Sequence, residues 1–180
     1  EGVGIFARFS LRNGGDDWAS TLLRDPFAER IAQGQMANEG LAYRPVSAFV
    51  NGEYWGIYNL RERFDTQFFL AHFKVSPSQY THLEFVAVEA DSTIVANIAE
   101  DSFELAAANG RLGEYLDFES ALGSMNGALE QAFALAQETI DLASYIDFLS
   151  IETYAVNTSW FHNRELWKAK GEDGKWQWLL

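Results

Sequence analysis

The sequence predicts an α+β fold, in which strand-forming and helix-forming segments occur in separate blocks. Residues 5–12 alternate apolar and polar side chains, as a strand with one buried face does. Residues 44–60 contain two strand-like runs around the Asn-Gly pair at 51–52, which favours a tight hairpin turn. Residues 141–156 repeat apolar side chains at helical spacing. This order differs from the regular alternation of a βαβ protein.

The first helix is predicted over residues 17–33, after the glycine-rich turn that ends the first strand. Asp16 or Asp17 is placed to cap it, because a carboxylate accepts hydrogen bonds from the free N–H groups of a helix amino terminus. Pro26 lies inside this segment and has no N–H group, so the helix is expected to kink or divide there. Gly34 is the expected end of the helix.

Downstream of the first hairpin, the pattern predicts a short helix at 65–73 and a strand at 84–88. Residues 97–127 show weak periodicity and contain many alanines, asparagines and glycines. We expect short helices and loops there, and we interpret this region as a candidate insertion.

The pattern becomes helical from about residue 128. Asp141 is the expected cap of the helix that continues to Val156. Residues 167–170 and 175–180 flank a turn that contains two glycines, so they predict a second hairpin. The tryptophans of these strands alternate along the chain, which favours core positions over stacking on sugars.

The composition excludes several chemistries. The chain has 180 residues and no cysteine, which rules out disulfides, a thiol nucleophile and thiolate metal ligands. Its net charge of −13 argues against a nucleic-acid partner, because neutralising phosphates requires clustered Lys and Arg. No apolar run approaches the roughly 18 residues of a membrane-spanning helix.

The acidic residues are concentrated in the middle of the chain. Between Glu84 and Asp147 the sequence has thirteen acidic residues and one basic residue, Arg111. Such a stretch is typical of a solvated acidic surface, and it would also attract a basic protein substrate.

The densest group of polar side chains is the tetrad His162, Asn163, Arg164 and Glu165, which follows the long helix. Such groups are costly to bury unless each is hydrogen-bonded, so this segment is a candidate functional loop. The chain lacks a Walker loop and a Gly-x-Ser-x-Gly elbow, and its three histidines are too dispersed for a zinc motif. A glycosidase would need paired carboxylates at a cleft, which the pattern does not indicate.

Several blocks of sequence are specific in combination. They are residues 11–17, 23–25 and 44–62, the loop before Asn163, and residues 174–178. In this order they resemble the spore-coat CotH kinase family, over nearly all of residues 1–180. The resemblance implies an atypical protein-kinase-like, two-lobed fold, with residues 1–62 in a sheet-rich N-lobe and 63–180 in a mostly helical C-lobe. It also implies transfer of phosphate from ATP, with Mg²⁺ or Mn²⁺, to serines of coat proteins by an exported, cell-surface or spore-coat protein.

The resemblance assigns candidate site residues. Asn163 matches the metal-binding asparagine of the catalytic loop. The family has an aspartate a few residues earlier, whereas this chain offers the amide and hydroxyls of Asn157, Thr158 and Ser159. An amide can orient an acceptor hydroxyl, but it cannot take its proton as a carboxylate does.

Three residues of the N-terminal part are candidates for nucleotide contacts. Arg8 or Arg12 would bind phosphate, or would form a structural ion pair instead. Glu62 would lie at the nucleotide hinge, or would form a salt bridge with Arg61 or Arg63.

The resemblance also implies that the chain is incomplete at both ends. The family's upstream phosphate-covering strands would precede Glu1, and its second metal-binding aspartate would follow Leu180. We therefore expect this polypeptide alone to be inactive or weak as a kinase. The alternatives are a non-catalytic coat or surface protein that retains the fold for binding, and a carbohydrate-binding module.

Overall fold

The computed structural model describes residues 8–87 and 103–180. This part of the chain combines helices with two antiparallel sheets, which is compatible with the predicted α+β class. It divides into two compact units. The first comprises the described residues up to Ser76 together with Leu180, and the second extends from Pro77 to Leu179.

The first unit contains a three-stranded sheet of order β1-β3-β2. Its elements are β1 (Ser10–Arg12), α1 (Arg24–Ala32), β2 (Tyr43–Val50), β3 (Glu53–Arg61) and α2 (Thr66–Phe73). The predicted strand at 5–12 is described only from residue 8, and its observed part is β1. The predicted short helix is confirmed as α2, because the Asp65 side chain accepts hydrogen bonds from the backbone N–H groups of Gln67 and Phe68.

The hairpin of β2 and β3 is confirmed. Asn51 and Gly52 both have positive φ, 52° and 86°, which is the geometry that twists two antiparallel strands into register. Aromatic side chains of this hairpin lie on its surface, because Tyr54 and Trp55 are 59% and 58% exposed. Asp25 and Glu29 of α1 contact Arg61, at the opposite end of β3.

The first helix begins later than predicted. The predicted segment 17–33 divides into a short 3-10 helix at Gly15–Asp17, a turn, and α1 from Arg24. Pro26 explains the division, because a proline is tolerated in the first turn of a helix but not in its interior. Neither Asp16 nor Asp17 is the N-cap residue, because α1 starts after Leu23. The Asp17 carboxylate nevertheless reaches the start of α1 across the turn and accepts hydrogen bonds from the N–H groups of Leu23 and Arg24.

The second unit contains a four-stranded antiparallel sheet of order β5-β4-β6-β7. Its strands are β4 (Tyr80–Ala87), β5 (Phe103–Asn109), β6 (Glu165–Ala169) and β7 (Gln177–Leu179). Its helices are α3 (Gly113–Ser124), α4 (Leu129–Thr139) and α5 (Leu142–Tyr154). The hairpin of β6 and β7 and the capping of α5 by Asp141 are confirmed.

Two predictions for this unit were wrong in detail. The strand predicted at 84–88 starts at Tyr80, because residues 80–84 pair with β6. The region 97–127 contains a strand, β5, as well as a helix, while residues 97–102 lie outside the described part. Pairing with β4 decides this, since the alanines of β5 have little intrinsic preference for a strand.

The core of the second unit lies between α5 and its sheet. Trp176, Trp178, Leu166 and Phe148 are buried there, as the alternation of tryptophans predicted. The buried Ser144 hydroxyl of α5 accepts a hydrogen bond from the Trp178 backbone N–H at 2.8 Å. This contact fixes α5 against β7, and the polar loop follows directly from the end of α5.

Candidate functional site

The segment 157–164, which we call the Asn163 loop, connects α5 to β6. It begins with a strained turn, because Val156 has a φ of 52° that β-branched residues rarely adopt. The N–H of Asn157 donates to the Glu152 carbonyl and closes this turn. Such outliers cost on the order of 1–3 kcal/mol and occur often at functional sites.

Both ends of the Asn157 amide hold the loop in place. Its Nδ2 donates to Oε2 of Glu152 at 2.6 Å, and its Oδ1 accepts from the Ser159 N–H at 3.0 Å. Asn157 therefore anchors the loop to the last turns of α5. The sequence interpretation missed Glu152, although its position five residues before Asn157 at a helix end is a local signal.

Asn163 is tied into the same turn. Its Nδ2 donates to the Ser159 carbonyl at 3.0 Å, and its side chain is exposed. Its Oδ1 makes no hydrogen bond within residues 8–87 and 103–180. The structure thus brings Asn157, Ser159 and Asn163 together, and it leaves one amide oxygen available to a ligand.

The two neighbours of Asn163 are held by aromatic rings. The His162 ring stacks on Phe103 with centroids 4.5 Å apart. The Arg164 guanidinium lies 4.9 Å from the ring centroids of both Phe85 and Phe161. We call this arrangement of Phe85, Arg164 and Phe161 the arginine sandwich. The sequence predicted a functional loop here but not these ring contacts.

Two carboxylates close to the loop have other partners. The Glu165 carboxylate accepts a hydrogen bond from His82 through an Oε2–Nε2 contact of 2.6 Å, and His82 is only 3% exposed. Glu152 accepts a hydrogen bond from Asn157.

Tyr115 of α3 lies within the electrostatic influence of the loop. Burial raises the pKa of Tyr115 to about 12, with a further rise from Glu119 and an opposing effect of the Arg164 charge.

The predicted nucleotide-contact residues lie in the first unit. Arg8 is exposed just before β1, and Arg12 Nε is 2.8 Å from Oδ2 of Asp25. Glu62 is buried, accepts from the Ala42 N–H at 2.9 Å, and has its Oε1 3.3 Å from Nε2 of His72. Their roles toward a nucleotide stay predictions.

Glu62 does not pair with Arg61, so that alternative was wrong. Arg61 instead binds Asp25 at 3.2 Å and Glu29 across the sheet. Burial raises the pKa of Glu29 to about 8, although the charge of Arg61 opposes this rise.

A pocket of about 570 Å³ lies within the first unit. Its lining includes Glu29, Glu39, Arg44 and His72. Since these residues carry both signs of charge, the pocket does not define one class of ligand.

The described residues do not contain a complete metal-binding centre. No group of three His, Asp or Glu side chains within them is arranged to hold a cation. Asn163 offers a single oxygen ligand, so the described residues alone do not form the site that Mg²⁺ or Mn²⁺ requires. No helix in the described ranges has both the length and the apolarity to span a membrane.

An α+β chain with an exposed, ligand-ready asparagine after a long helix fits a kinase-related protein. A family model described as CotH kinase protein matches residues 1–180, so the chain belongs to the CotH kinase family. Comparisons with curated proteins and with solved structures gave no match.

Proposed function

We propose that the chain is part of a CotH-type atypical protein kinase, which transfers phosphate from ATP to serines of coat or surface proteins. The family match over residues 1–180 supports this proposal. In it, the chain contributes to a two-lobed kinase-like fold, with residues 1–62 in the N-lobe, 63–180 in the C-lobe and 97–127 as an insertion. The observation that carries the proposal is the Oδ1 of Asn163, which has no hydrogen-bond partner within the described residues and is held in one turn with Ser159 and Asn157.

The transfer joins the seryl oxygen to the γ-phosphorus, breaks the bond from that phosphorus to ADP, and releases the hydroxyl proton to water. Its catalysis consists mainly of positioning and charge neutralisation. Mg²⁺ or Mn²⁺ would neutralise phosphate charge, with Asn163 Oδ1 as one ligand. Ser159 and Asn157 would shape the acceptor side, while Arg12 or Arg8 would contact phosphate and Glu62 the nucleotide hinge.

We propose that turnover by this chain is slow or absent, because the segment Asn157 to Ser159 has no carboxylate that could accept the seryl proton. The test measures transfer from radiolabelled ATP to a basic, serine-rich peptide, with and without Mn²⁺. Asn163→Ala should abolish any metal-dependent transfer, whereas the exposed Asn126→Ala in the same unit should not. Robust turnover by the 180 residues would overturn the proposal of weak activity, and insensitivity to Asn163→Ala would overturn the role of that residue.

A second candidate is a non-catalytic coat or surface protein that keeps the fold for binding. The occupied amide of Asn157 favours it, because both of its polar atoms serve the loop and neither is left for an acceptor. Calorimetry with ATP and Mg²⁺ separates the two candidates. A heat of binding on addition of ATP supports the kinase. The absence of such a heat supports the non-catalytic coat or surface protein.

The family also motivates a proposal for location and partner. We propose an exported, cell-surface or spore-coat protein whose substrate is basic or serine-rich, because residues 84–147 carry thirteen acids and one base. Binding of a basic serine-rich peptide should weaken as salt rises. Salt-independent binding, or detection of the protein only inside cells after fractionation, would contradict this proposal.

A further inference from the structure

The guanidinium of Arg164 contacts aromatic rings and no carboxylate within the described residues. The rings of Phe85 and Phe161 lie at 4.9 Å from its central carbon. Within the described residues it forms no salt bridge or hydrogen bond, and its buried Nε has no partner. Neither Nη group forms a hydrogen bond within residues 8–87 and 103–180.

This arrangement is unusual for an acidic protein. The sequence has 26 acidic and 13 basic residues, so carboxylates are abundant. Among the described residues, two carboxylates next to the loop have other partners: Glu165 contacts His82, and Glu152 contacts Asn157. Leaving a buried guanidinium N–H without a partner costs about 1–3 kcal/mol. A purely structural arginine would be expected to recruit a carboxylate.

Stacking on rings has a consequence for the donors. Ring contacts restrain the guanidinium without using its N–H donors, and a guanidinium can bind an oxyanion through two parallel hydrogen bonds. Arg164 follows Asn163, whose Oδ1 is also free of partners within the described residues. The two groups are therefore placed by one rigid loop.

We propose that the arginine sandwich is a binding site for a phosphoryl group, which the Nη groups of Arg164 contact beside Asn163. This inference deepens the proposed function, since it names a phosphate-binding residue for the same loop. The phosphoryl group is that of a nucleotide or of a phosphorylated serine, and the chemistry is the same in both cases.

The test is a ³¹P NMR titration of the 180-residue chain with three separate probes: inorganic pyrophosphate, ADP and a phosphoserine peptide. Arg164→Gln should weaken binding about tenfold or more, because a hydrogen bond to a charged group contributes about 1.5–3 kcal/mol. Arg164→Lys keeps the charge but loses the planar fork, so it should give an intermediate loss. Arg111→Gln removes the same charge from an exposed site of the same unit and serves as the matched control.

A second variant covers a failure of Arg164→Gln to fold. Phe161 is 49% exposed, so Phe161→Leu should fold while it frees one face of the guanidinium. Its binding should weaken severalfold. Preference for ADP identifies the nucleotide as the source of the phosphoryl group, and preference for the peptide identifies the phosphoserine.

The inference is overturned if no probe binds, if Arg164→Gln binds as the wild type does, or if Arg111→Gln causes an equal loss. Binding does not require turnover, so its outcome is separate from that of the kinase proposal. Arg164-dependent binding without any transfer would leave the inference standing and remove the kinase. If transfer depends on Asn163 while Arg164→Gln binds the probes as the wild type does, the kinase proposal stands and the inference about Arg164 fails.

Discussion

Two arginines of this protein, Arg61 in the first unit and Arg164 in the second, are held in opposite ways. Arg61 is 7% exposed and binds the carboxylates of Asp25 and Glu29. Arg164 contacts two aromatic rings and has no carboxylate partner within the described ranges. The Arg61 guanidinium therefore donates its N–H groups to carboxylates, whereas that of Arg164 makes no hydrogen bond to any described residue.

The difference separates a structural charge from a ligand-binding one. A buried ion pair satisfies its members at a high desolvation cost, so removing either member leaves the other unpaired. A stacked guanidinium is fixed without using its donors, so removing it costs the fold little and costs a ligand much. Changes at Arg61, Glu29 and Arg164 test this contrast, from the largest expected effect on stability to the smallest.

The largest effect is expected at Arg61. Above the pKa of about 8 that Glu29 has in the folded protein, its carboxylate is ionised, and Arg61→Ala leaves Glu29 and Asp25 without their shared cation. Measured above that pH, breaking a buried pair costs about 3–5 kcal/mol of unfolding free energy. Urea unfolding followed by circular dichroism measures this change. The neighbouring exposed Arg63→Ala should change stability by no more than about 0.5 kcal/mol. Equal effects of the two variants would remove the contrast.

The next effect is a dependence of stability on pH that comes from Glu29. Burial raises its pKa from 4.5 to about 8, so the folded state keeps a proton that the unfolded state releases. Its contribution is fully present below pH 4.5 and is lost as pH rises through 8, with a slope of at most about 1.4 kcal/mol per pH unit. Urea unfolding from pH 5 to pH 8 measures that slope.

Glu29→Gln should flatten the pH profile, because the amide does not titrate. Glu53→Gln, at an exposed position, serves as the control and should keep the wild-type slope. A wild-type slope in Glu29→Gln would show that Glu29 is ionised in the folded protein at these pH values.

The smallest effect on stability is expected at Arg164. Arg164→Gln loses cation–π contacts, each worth about 0.5–1 kcal/mol at partly exposed sites. It also removes a buried N–H without a partner, which offsets part of that loss. Thermal and urea unfolding should therefore differ from the wild type by less than about 1 kcal/mol. A loss as large as that of Arg61→Ala would mark Arg164 as a structural residue.

Much of the candidate site could be predicted from the sequence because its signals are local. Asn157, Ser159 and Asn163 lie within seven positions, and a polar run after a capped helix indicates a loop that holds them together. The contact of His82 with Glu165 spans 83 positions, and no local pattern indicates it. The same is true of Phe85 and Phe103, whose rings reach the loop from β4 and β5.

The sequence by itself determined the hairpin at Asn51-Gly52, the caps at Asp65 and Asp141, and membership of the CotH kinase family. The hairpin and the caps depend on residues a few positions apart, whose backbone preferences and hydrogen bonds act before the chain is compact, and the family membership depends on the sequence alone. Only the tertiary structure decided that the alanine-rich β5 is a strand, that Arg61 binds Glu29, and that Arg164 contacts two aromatic rings. Those outcomes depend on which distant surfaces meet, and local chemistry does not specify that.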